Sequence, residues 1–243
     1  MKQIYLSILF VLLVSLSSLS TFAQTKSRED LHKELEAKRL ELDTLEKNFL
    51  SASDEDRSTY ADFLRQPNTG LVRLMPREVF DNEIRKGIKL LTIRGGGAYY
   101  SFSRLTHDYG YGSDISLEQN YLSVGFAGAD YGMLLKLSEV SLEQLDSEHP
   151  AARFLAGYTP PTLEPEIRKE QRRFIDGTEI NSVVYKERLP LEVGATYLVR
   201  SITFDRADVL VGFKVLRQDT DGSIVLLWKL LRKYQTPLIA RNG

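Results

Sequence analysis

Residues 197–231 hold three runs rich in apolar and β-branched side chains, separated by turn residues, a pattern that constrains the chain to an antiparallel meander. Three strands are expected, over residues 197–204, 209–217 and 223–231. In the second, Val209, Val211, Phe213 and Val215 share one face. In the third, Ile224, Leu226, Trp228 and Leu230 do. Asp219-Thr220-Asp221-Gly222 lies between them, and Asp-Gly supplies the positive-φ positions that a tight hairpin needs. This loop lacks the later glutamate of an EF-hand, so it reads as a turn and not as a calcium site. Residues 205–208 are expected to turn the chain before the second strand.

Further strands are expected at 71–75, 89–94, 98–105, 121–126 and 133–137, with an irregular connection or single helical turn over 77–85. Within 98–105, Tyr99, Ser101 and Ser103 alternate with Tyr100 and Phe102. Helices are expected over 141–157 and 164–174, separated by Pro160-Pro161. The second is almost wholly charged and reads as a solvated surface helix. The fold class is α+β: mainly an antiparallel β sheet or barrel-like sandwich with two or three helices, preceded by an N-terminal helical, coiled-coil-like arm. The expected organisation is a signal peptide (1–23), a helical arm or hairpin (24–66), a β-rich globular domain (67–237) and a C-terminal tail (238–243).

The arm is read from residues 27–50. Ser27 and Asp30 have capping-box spacing. Leu35, Leu42 and Phe49 take heptad position a, and Leu31, Lys38 and Leu45 take position d, a seam with one polar interruption. Glu29–Lys33, Glu34–Lys38 and Asp43–Lys47 are i,i+4 pairs in the favourable order. The seam serves self-association, or packs back onto a neighbouring helix. A second short helix follows, capped by Asp54, striped by Tyr60, Phe63 and Leu64, and ended near Arg65 ahead of Pro67.

Lys2, the apolar run over 8–14 and the small residues of Thr21-Phe22-Ala23 read as a secretory signal with a cut before Gln24, the alternative being an uncleaved N-terminal anchor. The apolar stretch over 4–19 falls short of the roughly 20 residues that span a bilayer. The expected location is therefore the periplasm or the extracellular space of a bacterium. There is no cysteine, so the chain has neither a lipid-anchor motif nor a disulfide, and its core must rest on apolar burial. A net charge of −1 without any basic block excludes the electrostatic footprint of a nucleic-acid binder.

Residues 95–132 hold eight of the sixteen glycines and eight of the 23 Tyr and Phe residues. Any binding surface is expected there, since glycine permits close approach and tyrosine offers a flat face with a hydroxyl tip. The candidate ligand-binding residues are Tyr99, Tyr100, His107, Asp108, Tyr109, Tyr111 and Asp114. In them the tyrosines would stack on a sugar or peptide and the polar groups would hydrogen-bond it. Arg94-Gly95-Gly96-Gly97 has no following Lys-Ser/Thr, so it reads as a bulge or a tight crossing of chains instead of a phosphate loop. His32, His107 and His149 lack metal-ligand spacing. No cofactor, metal or catalytic constellation is expected.

The sequence thus points to an exported β-rich ligand-binding or interaction protein. Its partner would be a second copy, an envelope protein or a glycan. Two alternatives stand beside that reading. One is a hydrolase of envelope or extracellular polymers using Asp108, Asp114 and His107. The other is a structural envelope component assembled through the arm.

Overall fold

A computed structural model describes residues 26–78, 94–107, 109–110, 112–126, 128–137 and 140–240. The strand expected at 89–94 and the connection over 77–85 lie almost wholly outside these residues. The chain divides into two units at Thr44/Leu45.

Helix α1 (Arg28–Phe49) opens as its sequence dictates: Ser27 Oγ accepts from the Asp30 amide at 3.1 Å and donates to the Asp30 carboxylate at 2.7 Å. None of its residues is buried. Leu31, Leu35, Leu40, Leu45 and Phe49 are all exposed, and Leu42 is half-buried. The Glu29–Lys33 pair forms at 2.8 Å, whereas Lys38 turns to Glu41 and Glu34 to Lys26. Pairs this exposed contribute little. Among the described residues no helix is long and apolar enough to cross a membrane.

In the second unit α2 (Asp54–Thr59) and α3 (Ala61–Leu64) form a broken helix. Its cap is Ser53, not Asp54: Ser53 Oγ accepts from the Asp56 amide, and the Asp56 carboxylate accepts from the Ser53 amide, each at 3.1 Å. Serine holds the extended backbone that a cap needs, which leaves Asp54 as the first helical residue.

The unit is built around a five-stranded, wholly antiparallel sheet. Its strands are β1 (Thr69–Leu74), β5 (Tyr131–Leu137), β9 (Thr196–Thr203), β10 (Ala207–Gln218) and β11 (Ile224–Lys233), in the order β1-β11-β10-β9-β5. A smaller antiparallel sheet joins β2 (Tyr99–Tyr100), β3 (Ile115–Glu118), β4 (Tyr121–Ser123) and β8 (Arg188–Pro190) in the order β2-β3-β4-β8. A two-stranded ribbon, β6 (Thr178–Ile180) with β7 (Val183–Tyr185), completes the strands among the described residues. Its turn puts Asn181 and Ser182 both at positive φ, the mark of a tight type I′ hairpin.

Period-two alternation sends the two faces of the large sheet into two separate cores. Val199, Val209, Val211, Phe213, Val215, Ile224, Leu226 and Trp228 meet Tyr100, Ile115, Leu117 and Leu122 of the small sheet. The sequence assigned Val209, Val211, Phe213 and Val215, and Ile224, Leu226 and Trp228, to this same face. On the opposite face Met133, Leu135, Leu198, Ile202 and Leu210 meet Phe63, Leu155, Ile167 and Phe174. The last three come from α4 (Arg153–Gly157) and α5 (Glu164–Asp176). The result is an α+β fold with few helices, and among the described residues the large sheet ends at β1 and β5.

Two expectations are corrected. Residues 141–157 do not form one helix but two 3-10 turns, Leu142–Gln144 and Pro150–Ala152, followed by α4. Pro150 holds His149 extended (ψ 134°), and His149 Nδ1 accepts the Ala151 amide at 3.2 Å, so the helix restarts there. The strand expected over 98–105 stops at Tyr100. The chain then folds back on itself, with Ser101 bridging to Thr106 and Leu105 at positive φ.

Candidate functional site

The outer face of the small sheet carries a cavity of about 300 Å³ lined by Arg77, Tyr99, Tyr109, Glu118, Phe126, Glu187 and Arg188, with Gly110, Ser123 and Gly125. Strand alternation places its floor. Tyr100 points into the core between the sheets, so its neighbour Tyr99 points out. Opposite Tyr99 stands Ser116, and Glu118 lies two residues further along the same face of β3. The β4–β8 pairing sets Ser123 against Arg188, which brings Glu187 and Arg188 to the rim. Gly125 lets the chain turn beneath Phe126: its φ is +86°, and a Cβ would lie 2.8 Å from Tyr131 Cα.

The polar groups form a chain across the floor. Tyr99 donates its hydroxyl to Glu118 Oε1 at 2.7 Å, and the Arg77 guanidinium donates to Tyr99 and lies 3.4 Å from the same carboxylate oxygen. Arg77 also packs over both Tyr99 and Tyr109, 5.5 and 5.3 Å from the ring centres. Tyr109 meets Tyr99 edge-on at 5.0 Å, and Phe126 meets it edge-on at 5.2 Å. Tyr99 is 2% exposed, whereas Tyr109 is 50% exposed, so one ring is fixed and the other is open to an incoming molecule.

Glu187 differs from Glu118. Half-buried, its side chain has no hydrogen-bond partner among the described residues, and burial pushes its carboxyl up to about 7 against the opposing pull of Arg188. The cavity therefore holds one carboxylate already engaged and one left available, with two guanidinium groups balancing them.

The seven residues expected at a site divide. Tyr99 and Tyr109 come together in this cavity. Tyr100 is a core residue, 6% exposed, edge-on to His107 at 5.1 Å. His107 spends Nε2 on the Arg73 carbonyl at 2.7 Å, tying the turn to β1. Asp114 is 1% exposed and accepts from the Phe102 amide (2.7 Å), the Ser103 amide (3.3 Å), the Ser101 hydroxyl (3.1 Å) and the Ser201 hydroxyl (2.7 Å). It braces the turn after β2 and has no opening to a substrate. Burial pushes its carboxyl up while these four donors pull it down. Asp108 and Tyr111 lie outside the described residues.

Arg77, Glu118, Phe126, Glu187 and Arg188 were not found by sequence reasoning. They are scattered over 112 residues, and only the pairing of β3, β4 and β8 brings them together. A local signal existed at Glu118 alone, which ends a strand just before the positive-φ pair Gln119 and Asn120. Among the described residues no group of three His, Asp or Glu is placed to hold a metal ion. Comparison with protein-family models, with curated proteins and with solved structures finds no match to this chain.

Proposed function

We propose that this chain is an exported binding protein whose β-rich unit takes a single saccharide unit, as part of a neutral glycan, into the Tyr99–Tyr109 cavity. The observation that carries this reading is the half-exposed Tyr109 ring set edge-on over the fixed Tyr99, beside Glu187, whose carboxyl has no hydrogen-bond partner among the described residues. A pyranose offers one apolar face and a ring of hydroxyls. Tyr109 and Phe126 supply flat apolar area, and Glu118, Glu187, Arg77 and Arg188 supply acceptors and donors. Two acids against two arginines favour a neutral polyhydroxylated molecule over a polyanion. Calorimetric titration with monosaccharides and envelope-type oligosaccharides tests it. Binding that drops at least tenfold in Tyr109→Ala and in Glu187→Gln supports the reading, and equal binding in both variants removes it.

Export itself is supported by the residues of 1–23, and blotting of cell fractions for the processed chain checks it. The α1 seam supports a further element of the reading, a parallel coiled coil with a second copy: Leu31, Leu35, Leu42, Leu45 and Phe49 keep heptad spacing on a helix with no buried residue. Light scattering on the chain with and without residues 27–50 tests it, since a change from dimer to monomer is expected.

The hydrolase reading moves to different carboxylates. Glu118, held by Arg77 and Tyr99, and Glu187, raised by burial, have the unequal environments that separate an ionised group from a proton donor. Hydrolysis of a chromogenic glycoside, lost in Glu187→Gln, would favour it over simple binding.

A further inference from the structure

A second cavity lies on the far side of the large sheet, away from the small-sheet face. It measures about 630 Å³ and runs beside edge strand β5, between the β6–β7 ribbon and the segment leading into α4. Its walls are Val140, Ala151, Phe154, Ile180 and Val183, all only partly buried, above the buried Leu135, Leu137 and Tyr185. Phe154 and Tyr185 pack at 4.6 Å to form one end. Among the described residues lining it none is acidic, and two are cationic, Lys136 and Arg153. Lys136 is committed to Glu192 at 2.7 Å. Arg153 is exposed and makes no ion pair or side-chain hydrogen bond with any described residue.

We propose that this groove binds a single-chain anionic amphiphile, a fatty carboxylate, with its tail along Leu135, Phe154 and Val183 and its head on Arg153. Apolar walls, with a cation at the mouth that pairs with no described residue, complement the tail and the head group of that molecule. The volume falls within the range of small-molecule sites, which are mostly apolar with a few placed polar groups. The proposal does not depend on the saccharide reading, because the two cavities share no residue.

The test is calorimetric titration of the full chain with octanoate, decanoate and dodecanoate below their micelle-forming concentrations, with decyl maltoside as a neutral head group on the same tail. Affinity should rise about fourfold per added methylene until the groove is full. Decanoate should bind at least tenfold more weakly to Arg153→Glu, with decyl maltoside unchanged. Arg153 is exposed at the first position of α4, where an acid is compatible with a helix start, and a native melting curve confirms that the variant is folded. Arg153→Ala gives a second reading of the same loss. No gain in affinity with chain length, or equal effects of Arg153→Glu on the charged and neutral heads, overturns the proposal.

Discussion

Asp208 grips Arg200 with both carboxylate oxygens, at 2.5 Å to Nε and 2.8 Å to a terminal nitrogen, where the two side chains are 2% and 1% exposed. They sit on adjacent strands: Arg200 faces Leu210 across the β9–β10 ladder, two residues from Asp208. The guanidinium also donates to the Leu155 carbonyl at 2.5 Å and stacks on Tyr234 at 3.3 Å, so it ties α4 and the end of β11 to the middle of the sheet. Burial pushes the Asp208 carboxyl up, and Arg200 pulls it back.

Breaking such a pair from one side leaves an uncompensated charge in the core. Arg200→Met and Asp208→Leu should each cost about 3–5 kcal/mol in urea unfolding. The double variant should cost clearly less than the two single losses together, because it removes both charges at once. Strict additivity would show that the two residues act independently.

Asp114→Ala should lower stability by about 3 kcal/mol or more, since it strands two backbone amides and two hydroxyls at 1–3 kcal/mol for each buried group. Asp114→Asn keeps an acceptor oxygen and should be milder. Neither variant, where it remains folded, should change saccharide affinity, which separates this brace from the cavity it was expected to join.

Gly97 has φ +76°, and a Cβ there would stand 2.4 Å from Leu50 Cδ2 and 3.2 Å from Met75 Cγ. Gly97→Ala should therefore cost about 2 kcal/mol or more, combining left-handed backbone strain with overpacking. Thermal melting reads it directly, and an unchanged midpoint would contradict the tight crossing.

Two carboxyls give the protein an unusual pH profile. Burial holds Asp130 and Glu187 up to about 7 each in the folded chain, while the unfolded chain releases those protons near pH 4. Between about pH 4 and 7 the folded state binds more protons than the unfolded one, so stability should fall as pH rises through that window. Urea midpoints from pH 4.5 to 8 check it. The Asp130→Asn, Glu187→Gln double variant should give a flatter curve.

The meander β9–β11 was legible because each strand repeats one apolar face over eight or more residues and an Asp-Gly turn marks the reversal. The segment over 141–157 was not. Leu142, Leu145, Ala152 and Leu155 keep a spacing that suits a continuous helix, and all four are buried. The break comes from polar side chains competing for the backbone: Asp146 accepts the Glu148 amide at 2.9 Å just before Pro150. At the site, Tyr99 and Tyr109 stood out by composition. Their companions did not, because a partnership such as Tyr99 with Glu118, or Ser123 with Arg188, is decided by which strands meet, and short strands of two to four residues carry no pattern that says so.

The cavity walls come from positions as distant as Arg77 and Arg188, and the unfolded chain does not hold these separate segments together. Whatever fits there is gripped by the native state alone, so it must raise the melting temperature in proportion to the logarithm of its concentration once the cavity is saturated. A heat-denaturation screen of unlabelled compounds would report an occupant without any assay for activity.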